Sequence, residues 1–174
     1  MQVRVATDAD VPALRALIDR SARELSRSHY SPEQIDAATK HIFGVDTQLI
    51  ADETYFVVDG PAGPVAAGGW SKRRTLYGGD QFKTEQDPLL DPAVDAARIR
   101  AFFVDPEWSR RGLATAIYDA CERSALVAGF RGFELMATMP GEPLYRRLGF
   151  EVVERVTVRV GDTDIPFARM IRAI

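Results

Sequence analysis

The stretch from Phe102 to Thr115, FFVDPEWSRRGLAT, constrains this chain most. An apolar strand breaks at Asp105-Pro106 and passes through a polar turn into a helix that starts around a glycine. The first N–H groups of a helix have no intrahelical partner, and the helix dipole adds partial positive charge there. Such an end can hold a phosphate or pyrophosphate. Gly112 and Ala114 keep the side chains small where a phosphate must touch backbone, and Arg110 and Arg111 can add charge-assisted contacts. A strand–helix corner with a solvated arginine pair would give the same string. Two other phosphate-binding patterns are excluded. The Gly-x4-Gly-Lys-Ser/Thr spacing is absent, and so are Gly-x-Gly-x-x-Gly and the repeated strand–helix–strand units that accompany it.

The rest of the chain arranges itself around that corner. Residues 3–6 read as a short strand, and Asp8 as the cap of a helix over 10–27. Val11, Leu14, Ile18, Ala22 and Leu25 line one face of that helix at spacings of three and four. Ser31-Pro32-Glu33-Gln34 combines a capping serine, a proline at the first helical position and a glutamine at the third. That second helix should reach Phe43, and Thr47 is placed to cap a third, short one. Strands follow at 55–59 and 65–74, divided by the turn cluster Gly60-Pro61-Ala62-Gly63-Pro64. Gly68-Gly69 inside the second of these strands predicts a bulge or a close backbone approach. Residues 76–95 read as a long loop, of a length that is often functional. A strand over 97–104 leads into the helix just described, which runs to Ala128 with Gly129 behind it. A strand over 132–137, a short helix over Pro143–Leu148 closed by Gly149, and two strands over 150–160 and 164–172 complete the chain.

Composition narrows the function classes. The chain has 174 residues, 46% hydrophobic and 27% charged, with a formal charge of −3. That length fits one domain, residues 1–174, and the composition excludes disorder. No basic excess points to nucleic acid. One cysteine, Cys121, precludes an internal disulfide and suits a reducing compartment; its place among Leu113, Ile117 and Ala120 is that of a buried small hydrophobe. Two histidines and one cysteine leave no cluster at zinc spacing, so no metal is expected. No signal peptide or membrane-length apolar run is present in the sequence given. The expectation is therefore a cytoplasmic protein that engages neither membrane nor nucleic acid.

A second segment makes the pattern specific. TMPGEPLYRRLGF, from Thr138 to Phe150, follows the first motif in order and at a fixed spacing. Together, Asp-Pro-x-Trp-Ser-Arg-Arg-Gly-Leu-Ala and Leu-Tyr-x-x-Leu-Gly-Phe resemble the GNAT superfamily of acetyltransferases, and the order of elements resembles that family along nearly the whole chain. The resemblance implies an α/β (α+β) fold, in which a mixed twisted sheet of about six to seven strands is splayed in a V and flanked by about four helices. It implies acetyl-CoA as co-substrate, lying in a V between the strands that end at Val104 and Ala137. The pantetheine would pair with backbone of Phe102, Phe103 and Val104 like an added strand. The pyrophosphate would rest on the amides of Arg110, Arg111, Gly112, Leu113, Ala114 and Thr115. Where the family loop opens on Gln or Arg this chain has Ser109, and where the family often carries asparagine it has Thr138.

The same resemblance implies a mechanism. An acceptor amine attacks the thioester carbonyl directly, and Tyr145 stands where the family's tyrosine protonates the leaving thiolate. A lysine-like amine at pKa about 10.4 needs roughly 4–5 kcal/mol to lose its proton at pH 7. The strand 97–104 offers no carboxylate base, only Arg98 and Arg100, which share a face with Phe102 unless a bulge intervenes. Arg100 could meet an anionic group of the acceptor or pair with an acid. Glu134 on the neighbouring strand and His29 are alternative bases to water. His29-Tyr30 falls where the family builds an acceptor wall, and Tyr77, Asp80 and Gln81 could line the acceptor cleft; Trp70 and Trp108 read as packing residues. The acceptor is a small-molecule or peptide amine, and a homodimer through the last hairpin is implied. The competing class is a non-catalytic acyl-CoA-binding or sensing module.

Overall fold

The computed structural model describes residues 1–174. Seven strands join in one mixed sheet: β1 (Val3–Val5), β2 (Tyr55–Gly60), β3 (Gly63–Ser71), β4 (Ala97–Val104), β5 (Gly132–Thr138), β6 (Glu151–Val160) and β7 (Thr163–Ala173). Their spatial order is β1-β2-β3-β4-β5-β7-β6. Every neighbouring pair is antiparallel except β4 and β5, which α4 (Leu113–Val127) joins by a crossover; parallel neighbours need such a connection.

β4 and β5 stay together for only two registers, Ala97 with Phe133 and Arg98 with Glu134. Beyond these the sheet opens into the V. A bulge accompanies the opening. On β3 the step from Ala67 to Gly69 spans two residues, and on β4 the matching step from Phe103 to Arg100 spans three. The extra residue places Ala101 at φ 54, in the left-handed region, and the Tyr55 hydroxyl donates to its carbonyl at 2.8 Å. A bulge reverses the inside–outside alternation that follows it. Phe102 therefore packs on the α4 side with Ile99, whereas Arg100, Ala101 and Phe103 face the opposite side. The shared face expected for Arg100 and Phe102 is thus corrected. Gly68 is required by the same crowding, since a Cβ there would lie 2.6 Å from the Phe102 ring.

Five α-helices cover the sheet, at the five places where the sequence predicts them: α1 (Val11–Leu25), α2 (Pro32–His41), α3 (Thr47–Ala51), α4 and α5 (Glu142–Arg147). α2 begins with the box read in sequence, Gln34 N donating to Ser31 Oγ at 3.1 Å and Ser31 N to Gln34 Oε1 at 2.9 Å. Two other caps fall elsewhere than expected. Thr7, not Asp8, caps the 3-10 turn that precedes α1, and Thr7 N donates to Asp10 at 2.8 Å. Asp46, not Thr47, caps α3. α1 and α3 press Leu14, Leu17 and Leu49 against Tyr55 and Val57 on one face. α4 presses Ile117, Tyr118 and Cys121 against Trp70, Phe130 and Phe133 on the other. Each fully buried aliphatic or aromatic side chain contributes about 1.5–3 kcal/mol. A third cluster, Tyr30, Ile35, Ile165 and Phe167, seats α2 on the β6–β7 hairpin. No helix is long and apolar enough to cross a membrane.

Candidate active site

The V encloses a cavity of about 360 Å³. One of its ends is built by the turn before α4. Arg110 at φ 60 and Gly112 at φ 77 are both left-handed. They turn the chain so that α4 starts without a side-chain cap, and the first bond from the helix back to the turn is Ala116 N to Gly112 O at 3.0 Å. The amides of Arg110, Arg111, Gly112, Leu113, Ala114 and Thr115 donate to no protein acceptor. A run of free amides at a helix N-terminus is an anion cradle. Arg110, Gly112, Leu113, Ala114 and Thr115 all line the cavity. The Arg111 side chain turns out of it, lying 4.6 Å over the Trp108 ring and donating to the Glu107 carbonyl at 3.1 Å.

Along the open edge of β4, Phe102, Phe103 and Val104 also line the cavity. β4 has no partner strand on its β5 side there, so an extended ligand can add to that edge. The Val104 amide is already engaged with Ser21 Oγ at 3.2 Å. Opposite stand Thr138 and Tyr145. Thr138 Oγ1 accepts from Gly141 N at 3.1 Å and so shapes the turn into α5. The Tyr145 ring is wedged edge-on between Phe102 and Phe150, with centroids 6.2 and 5.8 Å away. Its hydroxyl has no protein partner and is not sealed from solvent, so it opens onto the cavity. Burial pushes the phenol well above its ordinary pKa.

The far end is apolar. Ile42 and Phe43 after α2, Leu76 and Tyr77 of the long loop, Met136 of β5 and Phe167 of β7 enclose it. Arg100 lies behind this wall with its side chain 1% exposed, donating to Asp46 at 2.9 Å and to the carbonyls of Gly78 and Thr75 at 2.6 and 3.1 Å. Desolvation lowers the Arg100 pKa, and the Asp46 charge opposes that shift. Lys83 completes the cluster, 2.6 Å from the other Asp46 oxygen. Tyr77 stacks on Phe167 at 6.2 Å and 24°, and burial raises its pKa.

The remaining sequence candidates sit elsewhere. His29 is exposed beside Ser28, outside the cavity. Tyr30 is buried outside the lining; its hydroxyl donates to Pro166 O at 2.6 Å and accepts from Met139 N at 3.0 Å, and burial raises its pKa to about 12. Glu134 pairs with Arg98 and Arg169 at 2.8 and 3.1 Å. Asp80 accepts from Thr47, and Gln81 donates to Phe43 O. No aspartate, glutamate or histidine lines the cavity, and no group of three or more metal-ligating side chains gathers anywhere. Cys121 is fully buried, and burial raises its thiol well above the ordinary value.

Residues 92–171 match the model of a family described as an acetyltransferase (GNAT) domain. No curated protein sequence matches the chain. Among solved structures, it resembles a GCN5-related N-acetyltransferase from Rhodopseudomonas palustris, with TM-score 0.73 and 19% identity over 99% of this chain and 95% of that one. It also resembles the PaiA N-acetyltransferase from Thermoplasma acidophilum in complex with coenzyme A, at TM-score 0.64 and 12% identity over 99% and 98%. A third likeness is to the ribosomal-protein-S18-alanine N-acetyltransferase from Escherichia coli, at TM-score 0.61 and 16% identity over 99% and 93%. At such identities these likenesses concern the fold.

Proposed function

From the premise that this chain belongs to the GNAT superfamily, we propose that it is an N-acetyltransferase moving an acetyl group from acetyl-CoA directly to a primary amine. One observation carries the reading: five of the six residues with free amides before and at the start of α4, and an unpartnered tyrosine hydroxyl, line the same cavity from opposite walls. The residues present fit the co-substrate. The amides of Arg110 to Thr115 would take the pyrophosphate, and space beside Gly112 is open, since a Cβ there would touch nothing. The edge of β4 at Phe102 and Phe103 would hold the pantetheine. When bound, acetyl-CoA supplies an activated acyl carbon.

The bond changes balance without further reagents. The amine nitrogen bonds to the acyl carbon, the carbon–sulfur bond breaks, one proton leaves nitrogen and one reaches sulfur. A phenol at its ordinary pKa gives its proton to a cysteine-like thiolate uphill by roughly 2 kcal/mol, and burial makes Tyr145 a weaker acid still. Tyr145 would therefore act by donating a hydrogen bond to the sulfur as negative charge develops there. The amine would lose its proton to water, because no side-chain base lines the cavity.

Neighbours named for acetylating ribosomal-protein alanine make a peptide N-terminus one acceptor to test beside small amines. The decisive experiment is a screen of primary amines with saturating acetyl-CoA and detection of released thiol. Amine-dependent thiol release with acetylated product supports the reading. Acetyl-CoA binding without turnover on any amine would favour the non-catalytic acyl-CoA-binding module, for which the absence of a base in the lining is the supporting observation.

A further inference from the structure

The acceptor end of the cavity has a definite chemistry. Its walls are Ile42, Phe43, Leu76, Tyr77, Met136 and Phe167, and no carboxylate joins them. The ionisable residues of the lining, besides its tyrosines, are Arg100, Arg110 and Arg147, and the Arg100 side chain lies behind the wall. Arg100 is neutralised in place by Asp46. An ammonium ion entering here meets no counter-charge, and burying a charge without a partner is costly.

The wall is also short of free backbone polar groups. Arg100 occupies the carbonyls of Thr75 and Gly78. Gly79 N donates to Ile42 O at 2.8 Å, and Gln81 Nε2 donates to Phe43 O at 2.8 Å. A peptide threading into this end would leave its own amides without partners. What the wall offers is aromatic surface: Tyr77 stacks on Phe167 at 6.2 Å and packs tilted beside Phe82 at 5.2 Å, and Phe43 stands with them. Aromatic rings pack well against such faces.

Proton chemistry points the same way. A lysine-like amine is neutral in only about one molecule in 2,500 at pH 7, and nothing in the lining can take its proton. A weakly basic amine, whose conjugate acid titrates below neutrality, arrives as the free base and needs no base from the protein. Resting on the acetyltransferase reading, we infer that the acceptor is a small arylamine: a primary amino group on an aromatic, otherwise apolar body, bound uncharged.

The test compares p-toluidine, hexylamine, spermidine and a short peptide with a free N-terminal alanine as acceptors. Acetyl-CoA binding is measured separately by calorimetry. At pH 7 the kcat/KM for p-toluidine should exceed that for hexylamine by about 100-fold, the free-base advantage discounted for the lower nucleophilicity of an arylamine. The hexylamine rate should climb about tenfold per pH unit above neutrality while the p-toluidine rate stays flat. Preference for spermidine or the peptide, a pH-independent hexylamine rate, or acetyl-CoA binding with no turnover of p-toluidine would overturn the arylamine assignment. Failure to bind acetyl-CoA would instead remove the acetyltransferase reading beneath it.

Discussion

Replacing Asp46 by asparagine tests how the acceptor wall is held. The carboxylate joins three parts of the chain: it caps α3 through Gln48 N at 3.1 Å, pairs with Arg100 of β4, and holds the long loop through Lys83 and, by way of Arg100, through the carbonyls of Thr75 and Gly78. The Asp46 and Arg100 side chains are each 1% exposed and Lys83 14%. Asparagine keeps the shape and the capping oxygen but removes the charge. Lys83 can swing to water; Arg100 cannot. Breaking a buried pair from one side costs about 3–5 kcal/mol, and the retained amide oxygen places this variant near about 3. For a chain of this size that is a fall of roughly 6–12 °C in Tm. Urea unfolding with an unchanged m-value would measure it, with Asp80→Ala, at an exposed hydrogen bond, as a control costing at most about 1 kcal/mol. Adding Arg100→Met to Asp46→Asn should recover part of the loss, because it removes the stranded cation. A loss under about 1 kcal/mol for Asp46→Asn, or strict additivity in the double variant, would refute the reasoning.

Three further outcomes follow from the site and its surroundings. Gly112→Ala meets no neighbour but forces a side chain into φ 77, so it should lower stability by about 1–2 kcal/mol and weaken acetyl-CoA binding in calorimetry; unchanged affinity would place the pyrophosphate elsewhere. Tyr145→Phe should leave acetyl-CoA affinity and Tm near wild type, because the hydroxyl makes no protein bond, and reduce kcat at least about tenfold; equal turnover at every pH would exclude the hydroxyl from the chemistry. The Arg4 guanidinium holds the Asp10 carboxyl at about 2, against a usual 3.8. A depressed carboxylate stabilises the fold above its unfolded pKa, and that contribution disappears as pH falls through the folded value. Tm should therefore decline between about pH 4 and pH 2, and less steeply in Arg4→Gln; parallel curves for the two proteins would exclude this pair as the cause.

What the sequence revealed and what it hid divide along physical lines. Local signals were readable: the Ser31–Gln34 box, the breaks at Pro106, Gly129 and Gly149, and the apolar periods of α1 and α4 are written in adjacent residues. The free amides before α4 were legible for the same reason, since a strand, a turn and a glycine precede that helix directly. The bulge was half legible. Gly68-Gly69 signalled crowding, but the extra residue is Ala101 on the facing strand, and alanine carries no mark of a left-handed conformation. That one residue decides which way Phe102 points. Partners distant in sequence left no local trace: Arg100 finds Asp46 54 positions earlier, and Tyr30 finds Pro166 136 positions later. Phe43, Leu76, Met136 and Phe167 are ordinary apolar residues in their own segments, and only the fold makes them one wall.

The central claim is that acetyl-CoA docks on the bare start of α4, and amide NMR during a titration with acetyl-CoA tests it most directly. The backbone N–H signals of Arg110 to Thr115, which have no protein acceptor, should shift downfield together as they gain phosphate oxygens, with saturation tracking the calorimetric affinity. If those signals stay in place while acetyl-CoA binds, the cradle is not the cofactor site and the account fails at its first step.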